Sequence, residues 1–150
     1  MKPSTQTYNG WAQVGYWLQV ISLATLVALT PLKRQNHLYW LLLIVPAAGL
    51  MLWARLQMWE RSFHWEATPT PGTLTRTGPY RWIRHPIHTS NCIITLSVAL
   101  VHPTMIAFSI LGIGCLGAAI RIYCEEQTLQ SFPDFSDYKA HTKLVLPYVI

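Results

Sequence analysis

Arg84, His85 and Pro86 close the segment Gly78-Pro79-Tyr80-Arg81-Trp82-Ile83-Arg84-His85-Pro86, and Arg121 stands four residues ahead of the adjacent carboxylates Glu125 and Glu126. These residue types supply guanidinium forks for anions, imidazoles for protons or metals, and carboxylates for cations. Four of the eleven Lys and Arg residues fall between Arg61 and Arg84, and all six acidic residues fall between Glu60 and Asp137. Nearly everything else reads as hydrophobic helix. Charge gathered beside lipid is expensive, so its default reading is functional.

Three chemistries are open to this set. His85 and His88 with Glu125 and Glu126 have the ligand types of a metal site. The His-x-x-His spacing is weak evidence, however, and Pro86 restricts the backbone between the rings, so this reading assigns no metal. Nucleophilic hydrolysis is poorly supported, because no Ser or Cys carries a local activating signature. The third chemistry is a cofactor held between a Gly/Pro loop, a helix N-terminus at His85 and an acidic helix. Arg121 and Glu125 share a face of that acidic helix.

The elements that must position these groups are apolar. Of 150 residues, 51% are hydrophobic and 11% charged, a low charge content for a soluble protein. The length fits one domain, residues 1–150, with none left for a separate soluble module. Apolar residues come in blocks, over 11–30, 38–59 and 104–122, each long enough to cross a membrane core of ~30 Å. A shorter block over 87–101 carries Thr, Ser, Asn and Cys, and His102-Pro103 turns it into a tight hairpin with the next. The expectation is an all-α, polytopic membrane protein with four transmembrane helices and a helical hairpin near the C-terminus. The first block starts too late, and runs too long, for a cleaved signal peptide.

Pro31 ends the first span and Pro46 lies inside the second, where a kink is expected. Residues 60–86 and 123–150 then form the segments outside the lipid. Breakers at Thr68-Pro69-Thr70-Pro71-Gly72 and Thr77-Gly78-Pro79 make the first of these a loop. Pro86 suits the first turn of the third span. Gly112, Gly114, Gly117, Ala118 and Ala119 give the fourth span a small-residue surface for close helix packing or for a flat ligand. Phe132-Pro133-Asp134-Phe135-Ser136-Asp137-Tyr138 alternates rings with carboxylates, as a segment on the membrane surface would.

With four spans, nine Lys and Arg fall on one side and only Lys33 and Arg34 on the other, which places both termini and the charged segments in the cytoplasm. The net charge of +5 therefore calls for no nucleic acid. Trp11, Trp17, Tyr39, Trp40, Trp53 and Trp59 sit near span ends as interfacial anchors. Cys92, Cys115 and Cys124 lack paired spacing and read as small buried residues.

Gly-Pro-Tyr-x-x-x-Arg-His-Pro at Gly78 to Pro86, Arg-x-x-x-Glu-Glu-x-x-Leu at Arg121 to Leu129, and the tail from Phe132 to Tyr138 together resemble the isoprenylcysteine carboxyl methyltransferase family, whose relatives include phospholipid N-methyltransferases. The resemblance runs from Gly72 onward; the first two spans match only as hydrophobic helices. It implies a small membrane enzyme binding S-adenosylmethionine in a cytoplasmic pocket. The family's cofactor loop falls on Gly72, Thr73, Leu74 and Thr75, its cofactor-contacting tyrosine on Tyr80, and its His-Pro-x-Tyr element, preceded by Arg84, on His85, Pro86, Ile87 and His88. Its cofactor glutamate falls on Glu125, and its substrate arginine on Arg121. His88 stands where the family has tyrosine, and Ser90 where glycine is common.

The implied reaction is methyl transfer to a lipid-attached or prenylated, hydrophobic acceptor that enters from the membrane lipids. A carboxylate acceptor needs no base, whereas an amine or thiol would draw on Glu126 or His88. A sterol-type NADPH reductase and a non-enzymatic scaffold are the alternatives. The chain is short for the first, and packing alone does not call for Arg84, His85, Arg121 and Glu125 at one interface.

Overall fold

A computed structural model describes residues 5–30, 38–58 and 74–146. It is all-helical among those residues: α1 (Thr5–Leu29), α2 (Leu38–Met58), a single 3-10 turn (Gly78–Arg81), α3 (Pro86–Val101), α4 (Met105–Leu129) and α5 (Phe135–His141). Gly72 and Thr73 of the expected cofactor loop lie outside the described residues, as do the Pro31 loop with Lys33 and Arg34, the 68–72 breakers, Trp59 and the side chain of Tyr39.

α1, α2 and α4 are long and apolar enough to cross a membrane. α3 has 16 residues, so it rises about 24 Å, less than a full hydrocarbon core. The bundle is an integral-membrane type in which the chain's apolar surface faces outward. Leu42, Val45 and Leu52 on α2 and Met105 and Ile106 on α4 are more than half exposed, as lipid-facing side chains are. α2 runs unbroken through Pro46; Trp11 and Trp53 are exposed toward helix ends, whereas Trp17 is exposed at the middle of α1, away from the interface expected for it.

The helices meet where side chains are small. α1 packs along α4 and α2 along α3. At the α1–α4 crossing, a Cβ on Gly15 would lie 2.6 Å from the Gly117 carbonyl oxygen, and one on Gly117 would lie 2.7 Å from that of Gly15. Only glycine permits this approach at both positions. Gly114 similarly faces Ser22, whereas Gly112 and Ala119 point away from other helices or remain exposed. The small-residue surface of α4 is therefore a packing seam against α1 over part of its length.

α3 and α4 form the expected hairpin, with Thr104 as N-cap of α4, its hydroxyl accepting from the Ala107 amide at 3.1 Å. Past the apolar block, α4 continues without a break to Leu129. The tail then turns back as α5, with Phe135 and Tyr138 buried and Asp134 and Asp137 exposed. The rings of this segment thus turn into the protein, where the Tyr138 hydroxyl donates to the Tyr80 carbonyl at 2.8 Å.

Residues beyond α5 pair with the segment that carries Arg84 and His85. Ile83 and Lys143 form a parallel bridge. The Lys143 amide donates to Trp82 at 2.9 Å, Arg84 to Lys143 at 2.8 Å and His85 to Leu144 at 3.1 Å. The Thr89 hydroxyl donates to the Val145 carbonyl at 2.8 Å. This C-terminal strap fixes the backbone leading into α3.

Candidate active site

The loop before α3 is set by its breakers. Gly78 has φ +58°, and a Cβ there would meet Gln57 of α2 at 2.5 Å, so the turn both requires glycine and docks on α2. Trp53 and Trp82 make an edge-on contact at 6.0 Å that holds the same junction. Tyr80 is buried, its hydroxyl directed to the Met58 sulfur at 2.8 Å. Its pKa is raised, first by burial and then by the charge of Glu125. Burial also pushes Tyr138 up to about 12.

His85 is the N-cap of α3 and Pro86 follows at its first position. The missing proline N–H costs nothing there. His88 falls one turn on, so both rings face the end of α4, their centroids 6.0 Å apart. Opposite them, Glu125 and Glu126 project from one turn of α4 on adjacent bearings, and each meets a different set of cations.

Glu126 accepts from Arg84 Nε at 2.9 Å and from His85 Nε2 at 3.0 Å, with Lys139 Nζ at 3.8 Å. Arg84 is buried and donates through Nη1 to the Thr142 carbonyl at 2.6 Å, inside the strap. Glu125 lies 3.2 Å from His85 Nδ1, 3.2 Å from His88 Nε2 and 2.8 Å from Arg121 Nε. Arg121 is buried too, and its guanidinium stacks over the Tyr16 ring of α1 at 5.4 Å. His85 thus bridges the two carboxylates. Burial, the largest influence on it, opposes its charge, but the hydrogen bonds to Glu125 and Glu126 outweigh burial and its pKa is raised.

The structure therefore brings together Arg84, His85, His88, Arg121, Glu125 and Glu126, drawn from three separate stretches of sequence. Pro86 and Ile87 lie in the first turn of the same helix. Leu74 and Thr75 are half-buried in the extended approach to the 3-10 turn, and no hydrogen bond or ion pair joins them to the cluster among the described residues. Ser90 is fully buried, with its hydroxyl donating to the Pro86 carbonyl at 2.8 Å, so its polarity is satisfied within α3.

Sequence reasoning missed what α1 contributes. Gln19 places its Oε1 3.4 Å from His88 Nδ1 and 3.4 Å from Asn91 Nδ2, and its Nε2 donates to the Gly15 carbonyl at 3.5 Å. A buried amide inside an apolar span was the available signal. Thr142, which follows the tail motif, had no role assigned from sequence; here its carbonyl accepts from Arg84.

The family model for isoprenylcysteine carboxyl methyltransferase (ICMT) matches residues 39–131. The chain belongs to this family. The match takes in α2, which the sequence motifs alone left as a generic hydrophobic helix, and ends before α5 and the strap. No curated protein and no solved structure matches the chain. Family membership makes the protein an integral-membrane methyltransferase of the ICMT type, and the charged cluster is where this chain's Arg84-His85-Pro86 and its Arg121, Glu125 and Glu126 meet.

Proposed function

We propose that this ICMT-family protein transfers a methyl group from S-adenosylmethionine to the carboxylate of a lipid-attached or otherwise hydrophobic acceptor, at the cytoplasmic face of the membrane. The observation that carries the reading is the setting of Glu125. It is a carboxylate beside two imidazoles and Arg121 at the open end of α3, with Tyr80 within electrostatic reach.

The donor set suits the cofactor. Glu125 complements its cationic amino and sulfonium groups. The amides of Ile87 and His88, in a helix turn that has no preceding carbonyls to serve it, suit its carboxylate. Tyr80, Arg84, His85 and Pro86 shape the wall between, with the approach from Gly72 to Thr75 completing it. When bound, S-adenosylmethionine supplies an electrophilic methyl group.

The remaining work belongs to the chain. Arg121 presents a planar guanidinium, held at Nε by Glu125, to orient an anionic acceptor. Fixing the acceptor oxygen in line with the methyl group provides much of the acceleration open to such a displacement. Neither carboxylate is well placed as a general base. Glu126 already faces Arg84, His85 and Lys139, and Glu125 faces His85, His88 and Arg121, so few lone pairs remain for a substrate proton. An acceptor that arrives ionised needs none, which favours a carboxylate over an amine or thiol. Glu126 then serves to hold Arg84 and His85 in place. The lysine and arginine asymmetry supports four spans with both termini in the cytoplasm, α3 being the short one.

Calorimetry on the purified full chain in detergent tests the cofactor. S-adenosylhomocysteine should bind, and Glu125→Ala should weaken it at least tenfold; binding of NADPH alone, or of neither, would overturn the reading. A cysteine at Ser136, labelled in intact cells by an impermeant maleimide as readily as after permeabilisation, would overturn the cytoplasmic placement.

A further inference from the structure

The geometry points to a second ligand of this cluster, one that competes with the cofactor for Glu125: His85, His88 and Glu125 form a site for one divalent transition-metal ion of the zinc class. The sequence spacing argued against a metal because Pro86 stands between the histidines. The structure reverses that argument. Pro86 starts the helix and leaves His85 and His88 one turn apart, their ring planes 36° from parallel and each ring within 3.2 Å of Glu125.

Glu125 Oε2 lies 3.2 Å from His85 Nδ1 and 3.2 Å from His88 Nε2. No two of the three ligand atoms are more than 4.8 Å apart. An ion with bonds of about 2.0–2.1 Å in tetrahedral geometry holds its ligand atoms about 3.4 Å from one another. Two of the three edges already have that length, and rotation of the rings closes the third. The other carboxylate oxygen, Oε1, is taken by Arg121 at 2.8 Å, so Glu125 would bind the ion through one oxygen.

A second observation points the same way. Ligating histidines normally donate their far N–H to an acceptor that fixes the ring. Here His85 Nε2 meets Glu126 at 3.0 Å and His88 Nδ1 meets Gln19 Oε1 at 3.4 Å. The orientation of Gln19 is set by its own contacts, since Asn91 donates to the same oxygen and the amide nitrogen donates to Gly15. With both outer nitrogens donating, the two inner nitrogens turn lone pairs toward a carboxylate oxygen. Three acceptors then converge and require a cation among them. Two ring protons meet that requirement, and one divalent ion meets it with the same charge while gaining three coordinate bonds. Nitrogen ligands favour a transition metal over magnesium or calcium. Three protein ligands leave a fourth position for water or an anion. A tyrosine at position 88, which the family resemblance implies, would remove one imidazole and with it the site.

The inference does not rest on methyl transfer, because metal content is read without donor or acceptor. The full chain, purified in detergent with a tag free of histidine, is loaded with zinc or cobalt(II), freed of excess ion, and analysed by elemental mass spectrometry. One ion per chain is expected, with the visible absorption of tetrahedral cobalt in the cobalt form. His88→Tyr should lose the ion while keeping its helical circular dichroism, and His141→Ala, on the surface, should keep it. Should His88→Tyr misfold, Gln19→Leu should weaken metal affinity about 10–100-fold. A wild-type chain that retains no ion, or equal retention in wild type, His88→Tyr and Gln19→Leu, overturns the site and leaves a protonated cluster in its place.

Discussion

Glu125 and Glu126 are neighbours on one helix, yet they anchor two different regions. Glu126 looks toward Arg84, Lys139 and the strap at Thr142, all parts of the protein outside the apolar blocks. Its side chain is 11% exposed, against 24% for that of Glu125. Glu125 looks toward α1, through Arg121 over Tyr16 and through His88 to Gln19. One carboxylate ties the tail of the chain to the entrance of α3, and the other stands in a more open setting suited to a ligand. Two successive residues on a helix point about 100° apart, which suffices to give identical chemistries separate tasks.

The largest effect should come from breaking the tail side. Glu126→Ala leaves the buried Arg84 without its carboxylate and should cost about 3–5 kcal/mol, read as a lower melting temperature in detergent. The double variant Arg84→Leu with Glu126→Leu should recover part of that loss. On the other side, Glu125→Ala should reduce S-adenosylhomocysteine affinity by at least tenfold, about 1.4 kcal/mol, with a smaller loss in melting temperature than Glu126→Ala. Equal losses of stability in the two variants would erase the distinction.

The backing of the Glu125 side gives a finer test. Gly15→Ala forces α1 away from α4 beside Arg121 and should cost about 1–3 kcal/mol, whereas Gly10→Ala, which meets nothing within 4 Å, should be neutral or slightly stabilising in the same thermal melts. The smallest effect belongs to the exposed rim of the tail side. Arg76 pairs with Asp137 at 2.8 Å where both are well exposed, so Arg76→Ala should change stability by about 0.5 kcal/mol and weaken further in high salt.

Much of this was legible in the sequence because it is local. Apolar runs fixed the positions of α1, α2 and α4 to within a few residues at most of their ends, apart from the N-terminal start of α1 and the extension of α4 to Leu129. The i,i+4 spacing gave the Arg121–Glu125 pair, and Pro86 gave the start of α3. The partners of Glu126 were not legible, because Arg84 reaches it only when the strap has placed Trp82 to His85. Three backbone hydrogen bonds between segments some 60 residues apart leave no periodic trace. Gln19 was not legible as part of the site, since its partner His88 lies 69 residues away. The short α3 remained ambiguous, because composition does not say whether a 16-residue helix crosses lipid or is shielded by its neighbours.

The parallel pairing of Ile83 with Lys143 also orders events in time. During synthesis the Arg84–His85 segment emerges before α3, α4 and α5, and its backbone partners follow last. Until residues 142–144 arrive, the amides of Arg84 and His85 lack their carbonyls, and Arg84 lacks Thr142. Closing so long a loop has an entropic cost that only the finished hairpin offsets. The membrane helices can therefore be inserted and stacked, with Glu125 already paired to Arg121, before the strap closes the Glu126 side of the cluster. A chain that stopped before the strap would keep the contacts of Glu125 and lose those of Arg84 with Thr142, so the strap residues complete the tail side of the site.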